Sequence, residues 1–163
     1  MTDILNKISS YNLFNNLLPG ILFVILCDYF VGYDLSQENL VIGIFLYYFI
    51  GLTISRISSI LIEPILKKVN FIKFTNYADF ISAQKNDNKI DVLVEVSNKF
   101  RSILTMIIVL IAFKFYTSLE YNREISESTE KYFVLILLAI IYLLSFKKQI
   151  KYITKRIDTN KKL

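Results

Sequence analysis

Tyr132–Phe146, YFVLILLAIIYLLSF, carries no charge and has no polar stripe that a helix could turn toward water. Ile103–Phe113, ILTMIIVLIAF, has the same character. Two further apolar stretches precede them: Pro19–Gly32, with a partly apolar lead-in from Tyr11, and Asn39–Ile57, which continues toward Leu66. With the third stretch extended to Ser102–Ser118, each approaches the roughly 17–25 apolar residues that a spanning helix needs. The expected fold is all-α: one polytopic membrane domain over residues 1–163, with four transmembrane helices and a short cytoplasmic helical hairpin.

Composition agrees with a lipid solvent. The chain is 54% hydrophobic and 15% aromatic, with a mean hydropathy of +0.46. That is more apolar surface than a water-soluble domain can cover. A soluble helical protein is the competing reading, and the two charge-free stretches argue against it. No basic cluster precedes the first stretch and no small-residue cleavage site follows Leu26–Gly32, so that segment is expected to be retained.

The single cysteine, Cys27, excludes an intramolecular disulfide and a cysteine metal cluster, and there is no histidine. The commonest general base and the usual zinc and haem ligand are therefore missing. With only four glycines there is also no phosphate-cradling loop. Neither enzymatic activity nor a cofactor is expected.

Basic residues set the expected orientation, because lysine and arginine collect on the cytoplasmic side of short loops. Lys7, seven basic residues between Leu66 and Arg101, and seven in the tail from Lys147 make fifteen of nineteen on one side. The opposite connections, Tyr33–Glu38 and Leu119–Lys131, hold only Arg123 and Lys131 against six acids. Both termini are thus expected in the cytoplasm of a bacterial inner membrane. The net charge of +5 is explained by anionic headgroups, each nearby base contributing on the order of 1 kcal/mol. Lys147, Lys148, Lys151, Lys155 and Arg156 are the candidate headgroup contacts. Nucleic acid is a competing partner for this tail, but no glycine-rich or aromatic-basic signature supports direct binding.

Between the stretches, residues 1–18 have apolar residues near three-to-four spacing and read as an interfacial amphipathic helix that bends into the first span at Pro19–Gly20. Arg56, Ser59 and Glu63 share one helical face beyond the second span, and Pro64 predicts a kink or stop near Ile62–Glu63. This stripe reads either as a snorkelling arginine beside a helix end or as the lining of a vestibule. Asp28 and Lys114, each about one turn from the outer end of its span, suggest an ion pair or polar groups along a conduction path.

Residues 67–101 form the expected hairpin, with Asn76 capping a helix through Lys85 and a turn at Asn86-Asp87-Asn88. Tyr77, Phe80, Ile81, Ile90 and Leu93 are its candidate partner-docking residues. Residues 147–163 read as a basic cytoplasmic tail.

Tyr11–Gly20 (YNLFNNLLPG), the Arg56–Pro64 segment and four compact spans resemble small membrane subunits of bacterial anti-phage defence systems, the Kiwa-type subunits and the transmembrane accessory proteins of some CRISPR systems being the nearest kinds. The resemblance is one of architecture. It implies phage sensing or membrane disruption together with a cytoplasmic partner, and it carries over no functional residue.

Two function classes remain. One is an oligomeric, partner-gated pore or membrane-perturbing effector, built as a homo-oligomer with Asp28, Arg56, Ser59, Glu63 or Lys114 facing a shared axis. The other is a membrane anchor or adaptor that recruits a soluble cytoplasmic protein without pore activity.

Overall fold

A computed structural model describes the backbone of residues 2–120 and 125–160, and the side chains of 15–119 and 129–160. All regular structure among these residues is helical: α1 (Thr2–Val31), α2 (Leu40–Ile57), a π-helical turn (Ser58–Ile62), α3 (Glu63–Lys68), α4 (Tyr77–Asn86), α5 (Lys89–Glu120) and α6 (Ile125–Asn160). Among the described residues, three helical segments are long and apolar enough to cross a membrane: Leu40–Lys68, Lys89–Leu119 and Thr129–Asn160. Within α1 the described side chains give an apolar helix over Asn15–Val31, so three of the four expected spans are shown at full length among the described residues.

The helix ends follow from local chemistry. Gly32, at φ +81°, closes α1 in the left-handed region that glycine enters without steric cost, and its N–H bonds the Asp28 carbonyl at 2.9 Å. Asn39 caps α2, its Oδ1 accepting from the Val41 and Ile42 N–H groups. Asn70, at φ 56°, ends α3 in a Schellman motif, with Phe71 N–H bonded to Leu66 O and Asn70 N–H to Lys67 O, both at 3.0 Å. Asn76 caps α4 by accepting from Ala78 N–H at 3.1 Å.

Two expected breaks do not occur. Helix α1 runs unbroken through Pro19, so the backbone of residues 2–18 is not a separate helix; the side chains of its expected amphipathic face, up to residue 14, lie outside the described residues. Pro64 does not stop the second long helix; of the expected kink or stop near Ile62–Glu63, the structure shows a local irregularity, the π turn Ser58–Ile62. Pro64 lacks the N–H that would bond four residues back, and the π turn just before it absorbs the disruption, Glu63 N–H reaching Ser58 O. The true stop is Asn70, six residues later, where the backbone turns left-handed.

Helix α1 lies against α2 and α5, and α5 lies against α6. The α1–α2 crossing is made by Gly20 and Gly51 back to back. A Cβ on Gly20 would stand 1.7 Å from the Tyr47 carbonyl oxygen, and one on Gly51 the same distance from that of Asn16. Between helices in lipid there is no hydrophobic drive, so close backbone approach and van der Waals packing must supply the association. Phe23, Cys27, Phe30, Ile54, Met106, Ile107, Leu110 and Leu135 fill the space beside this crossing. The outer faces of α2 and α6 are left as greasy surface: Phe45, Phe49, Phe133, Ile136, Ile140 and Leu144 are all exposed. That much contiguous apolar surface suits lipid and not water.

A second core lies beyond the first. Phe146, Ile150, Ile153 and Ile157 recur on one face of α6 and pack with Ile72, Ala83 and Ile90. Residues 147–160, expected as a lysine-rich tail, are therefore the amphipathic end of α6 and a wall of this second core; Lys161 and Lys162 lie outside the described residues. The mistaken expectation came from counting lysines over the isoleucines at three-to-four spacing between them.

The crossing yields a contrast between two glycines of α2. Gly51→Ala is expected to force α1 and α2 apart and to cost about 1–3 kcal/mol by overpacking. Gly43→Ala, whose Cβ would meet only the Tyr47 ring at 3.4 Å, is expected to be neutral or slightly stabilising. Thermal unfolding of the purified variants in one mild detergent measures the difference.

Candidate functional site

The polar residues singled out in the sequence do not converge on one channel through the bundle. At the α1–α2 loop end, Lys114 of α5 is buried, 6% exposed, and its Nζ donates to the Phe30 carbonyl at 3.0 Å. It also stands 5.1 Å from the centre of the Tyr132 ring. Phe30 lies in the last turn of α1, where carbonyls have no partner within the helix and the dipole favours a cation. Lys114 thus ties α1 to α5 and α6. Lys131 makes a like contact, donating to Tyr29 O at 2.7 Å. Asp28, expected to pair with Lys114, is exposed on α1, and Lys114 is anchored on a main-chain carbonyl.

The Arg56, Ser59 and Glu63 stripe is divided by the π turn. The wider turn sets the helix beyond it back by about one residue, or roughly 100°. Arg56 is exposed, Ser59 donates to the Arg56 carbonyl at 3.0 Å, and the fully buried side chain on this stretch is Ser58. Glu63 is turned onto α5, where it forms an ion pair with Arg101, and Lys67 joins it at 2.6 Å. The Glu63 and Arg101 side chains are only 16% and 14% exposed. Arg101 counts in the sequence only as a positive charge; its role as partner depends on how far the π turn before Pro64 rotates Glu63. Ser97, Ser102 and Thr105, buried small residues of α5, let α5 come close at this level. Beside the pair, Arg56, Lys99, Ser55, Ser102, Asn15 and Asn16 border a polar cleft of about 210 Å³ with no acid among the described lining residues.

Farther along, three contacts set the antiparallel register of α5 on α6: Phe100 with Tyr142, Gln149 Nε2 donating to Leu93 O at 3.0 Å, and Arg156 with Asp87. Arg156 grips the turn before α5 with two bonds, Nε to Asp87 Oδ2 at 2.5 Å and a second guanidinium nitrogen to Oδ1 at 3.2 Å. Asn160 adds a third at 3.2 Å. The Arg156 hydrogen bond, with smaller help from Asn160, holds the Asp87 carboxyl down to about 2. Arg156 is thereby spent on a protein carboxylate and is not a free headgroup contact as expected. Lys148, Lys151 and Lys155 are exposed, and Lys147 lies 4.2 Å from the centre of the Phe71 ring.

The docking candidates also separate. Ile90 is completely buried in the second core, and Phe80 and Leu93 pack against it half-buried, because the amphipathic end of α6 covers the face that the sequence left open. Ile81 is half-buried, and Tyr77, at 75% exposed, is the one of the five fully available.

Between α3, α4, α5 and α6 lies a cavity of about 310 Å³. Glu63, Lys67 and Arg101 border it, while Phe80, Val94, Phe146, Ile150, Ile153 and Ile157 form apolar wall. No group of three or more potential metal-ligating side chains occurs among the described residues.

Two outcomes are expected. Glu63→Leu leaves Arg101 buried without its carboxylate and should lower stability by about 3 kcal/mol, while Glu63→Leu/Arg101→Met recovers most of that loss; thermal unfolding compares the two. Asp87 is depressed from its ordinary 3.8 in the folded protein, so its contribution is complete above that pH and disappears as pH falls toward about 2. Asp87→Asn should flatten the dependence of the melting temperature on pH across that window, read by circular dichroism. Comparison with protein-family models, with curated proteins and with solved structures returns no match to this chain.

Proposed function

We propose that this protein is a four-span anchor of a bacterial inner membrane, with both termini and the second core on the cytoplasmic side, and that this cytoplasmic cap recruits a soluble protein partner. The observation that carries the reading is the cap itself, a separately cored body that continues two of the long helices without a break. A span that merely ends at the membrane needs no such body. The apolar part of α1, which includes Asn15–Val31, serves as the fourth span.

The partner's chemistry follows from what the cap leaves uncovered. Lys148, Lys151, Lys155, Tyr152, Gln149 and Phe100 line a shallow cleft without any acid. Lys148 sits near the end of the apolar stretch and reaches headgroups. Lys155 lies about 10 Å farther along the helix, roughly a Debye length from that surface. The outer part of the face therefore suits an acidic protein segment with an aromatic or aliphatic anchor beside Tyr152. A role in an anti-phage response rests on the architectural resemblance alone.

A second reading, a ring of protomers that opens a pore, is favoured by the exposure of Asp28 on the outside of α1, where a neighbouring protomer would meet it.

Reconstitution separates the two. Under the adaptor reading, proteoliposomes hold an ion gradient as well as empty vesicles do, the solubilised complex has the mass of one or two 19.1 kDa chains, and Lys151→Glu/Lys155→Glu reduces partner recovery by tenfold or more. Ion flux that Asp28→Asn changes, from a ring of four or more chains, would overturn it in favour of the pore.

A further inference from the structure

The cavity between the cap helices has a chemistry that cap recruitment leaves unused. Among the described residues, its charged lining is one acid, Glu63, and two bases, Lys67 and Arg101. Both bases converge on the same carboxylate, so the cluster carries one surplus positive charge. Two polar atoms of lining residues, Arg101 Nε and Thr75 Oγ1, are buried with no hydrogen-bond partner. Buried donors without acceptors cost free energy, and one anion at this position relieves that cost while balancing the charge of Lys67 at the cavity mouth.

The rest of the cavity is mostly apolar and is elongated. The α5–α6 register places Arg101 at the end nearest the first core, and Ile157 at the far end beside the Asp87 turn. Phe146 and Ile157 alone are separated by about 16 Å of helix. The volume of about 310 Å³ falls at the small end of the roughly 300–1,000 Å³ typical of ligand cavities. That leaves room for one hydrocarbon chain with a compact head, and not for a two-chain phospholipid.

We propose that this cavity binds a medium-chain fatty acid, its carboxylate beside Lys67 and Arg101 and its tail along Phe80, Ile150, Ile153 and Ile157. The carboxylate neutralises the surplus charge, and the tail replaces empty space between apolar walls with contacts. Because α3, α4, α5 and α6 all contribute to the wall, occupancy stiffens the cap. The inference concerns an internal site and holds whichever partner the surface of the cap recruits.

The test uses the full chain purified in a non-ionic detergent and radiolabelled dodecanoate as the probe. Saturable binding of one probe per chain is expected, displaced by unlabelled dodecanoate at least about tenfold better than by dodecanol or by dodecyltrimethylammonium of the same chain length. Lys67→Glu, which reverses an exposed charge at the mouth, should weaken binding by about tenfold or more. Thr154→Phe, which fills the cavity from a half-buried wall position, should abolish it. Melting curves of both variants establish that each is folded, and Lys67→Arg should restore binding. Equal displacement by the anionic, neutral and cationic competitors, or binding by a folded Thr154→Phe equal to that of the parent, would overturn the proposal. Neither result bears on flux or partner recovery, so the cap reading stands or falls separately.

Discussion

The ion pair between Glu63 and Arg101 stands where the two cores of the molecule meet, and the arrangement on either side depends on it. Toward the α1–α2 loop, the helices associate through close packing. On the other side, α3, α4 and the ends of α5 and α6 enclose the second core. Glu63 is the last feature of the α2 rod before its chain leaves for the cap, and Arg101 is the point where α5 passes from one core to the other. Pairing fixes the rotation of α3 on α5, and with it the position of Leu66 and Phe71 against the second core. A pair so little exposed is a poor source of net stability, because desolvation offsets much of the attraction. Its effect is on geometry: few other rotations of this rod leave both charges satisfied.

The two cores obey different physics although they share helices. In the first, Gly20 and Gly51 bring backbones into contact because lipid offers no incentive to hide a leucine. Anchors such as Lys114 on the Phe30 carbonyl are effective there because an unpaired group has no water to turn to. In the second, burying Phe146 and the isoleucines of α6 removes them from water, at about 1.5–3 kcal/mol for each large side chain. Charge then works at the periphery, where Arg156 holds the turn that starts α5. Helices α5 and α6 run unbroken through both cores and join the two regimes.

The π turn is the device that reconciles these demands. An uninterrupted α-helix would have kept Arg56 and Glu63 on one face, both directed at the same environment. Pro64 prevents the ordinary ladder, the chain takes a wider turn, and the acid rotates onto α5 while the arginine remains outside. One residue type, placed eight positions after Arg56, thereby changes which cation the acid meets.

Much of this was legible in the sequence. Charge-free stretches such as Tyr132–Phe146 dictate helices for a simple reason: every backbone group must be bonded within its own segment when the solvent is lipid. The cap at Asn76 and the turn at Asp87 also follow from local chemistry, because their hydrogen bonds span two residues. What the tertiary structure alone decided is which face of each helix is covered. The isoleucines of 150–157 and Ile90 looked like parts of two open surfaces until α6 folded back over α5. Arg101 and Asp87 were ordinary charges until a segment distant in sequence met each of them. Local hydrogen bonds and solvent preference act over a few residues and are written into the chain, whereas a pairing between distant residues depends on the rotation and register of whole helices, which only the assembled packing fixes.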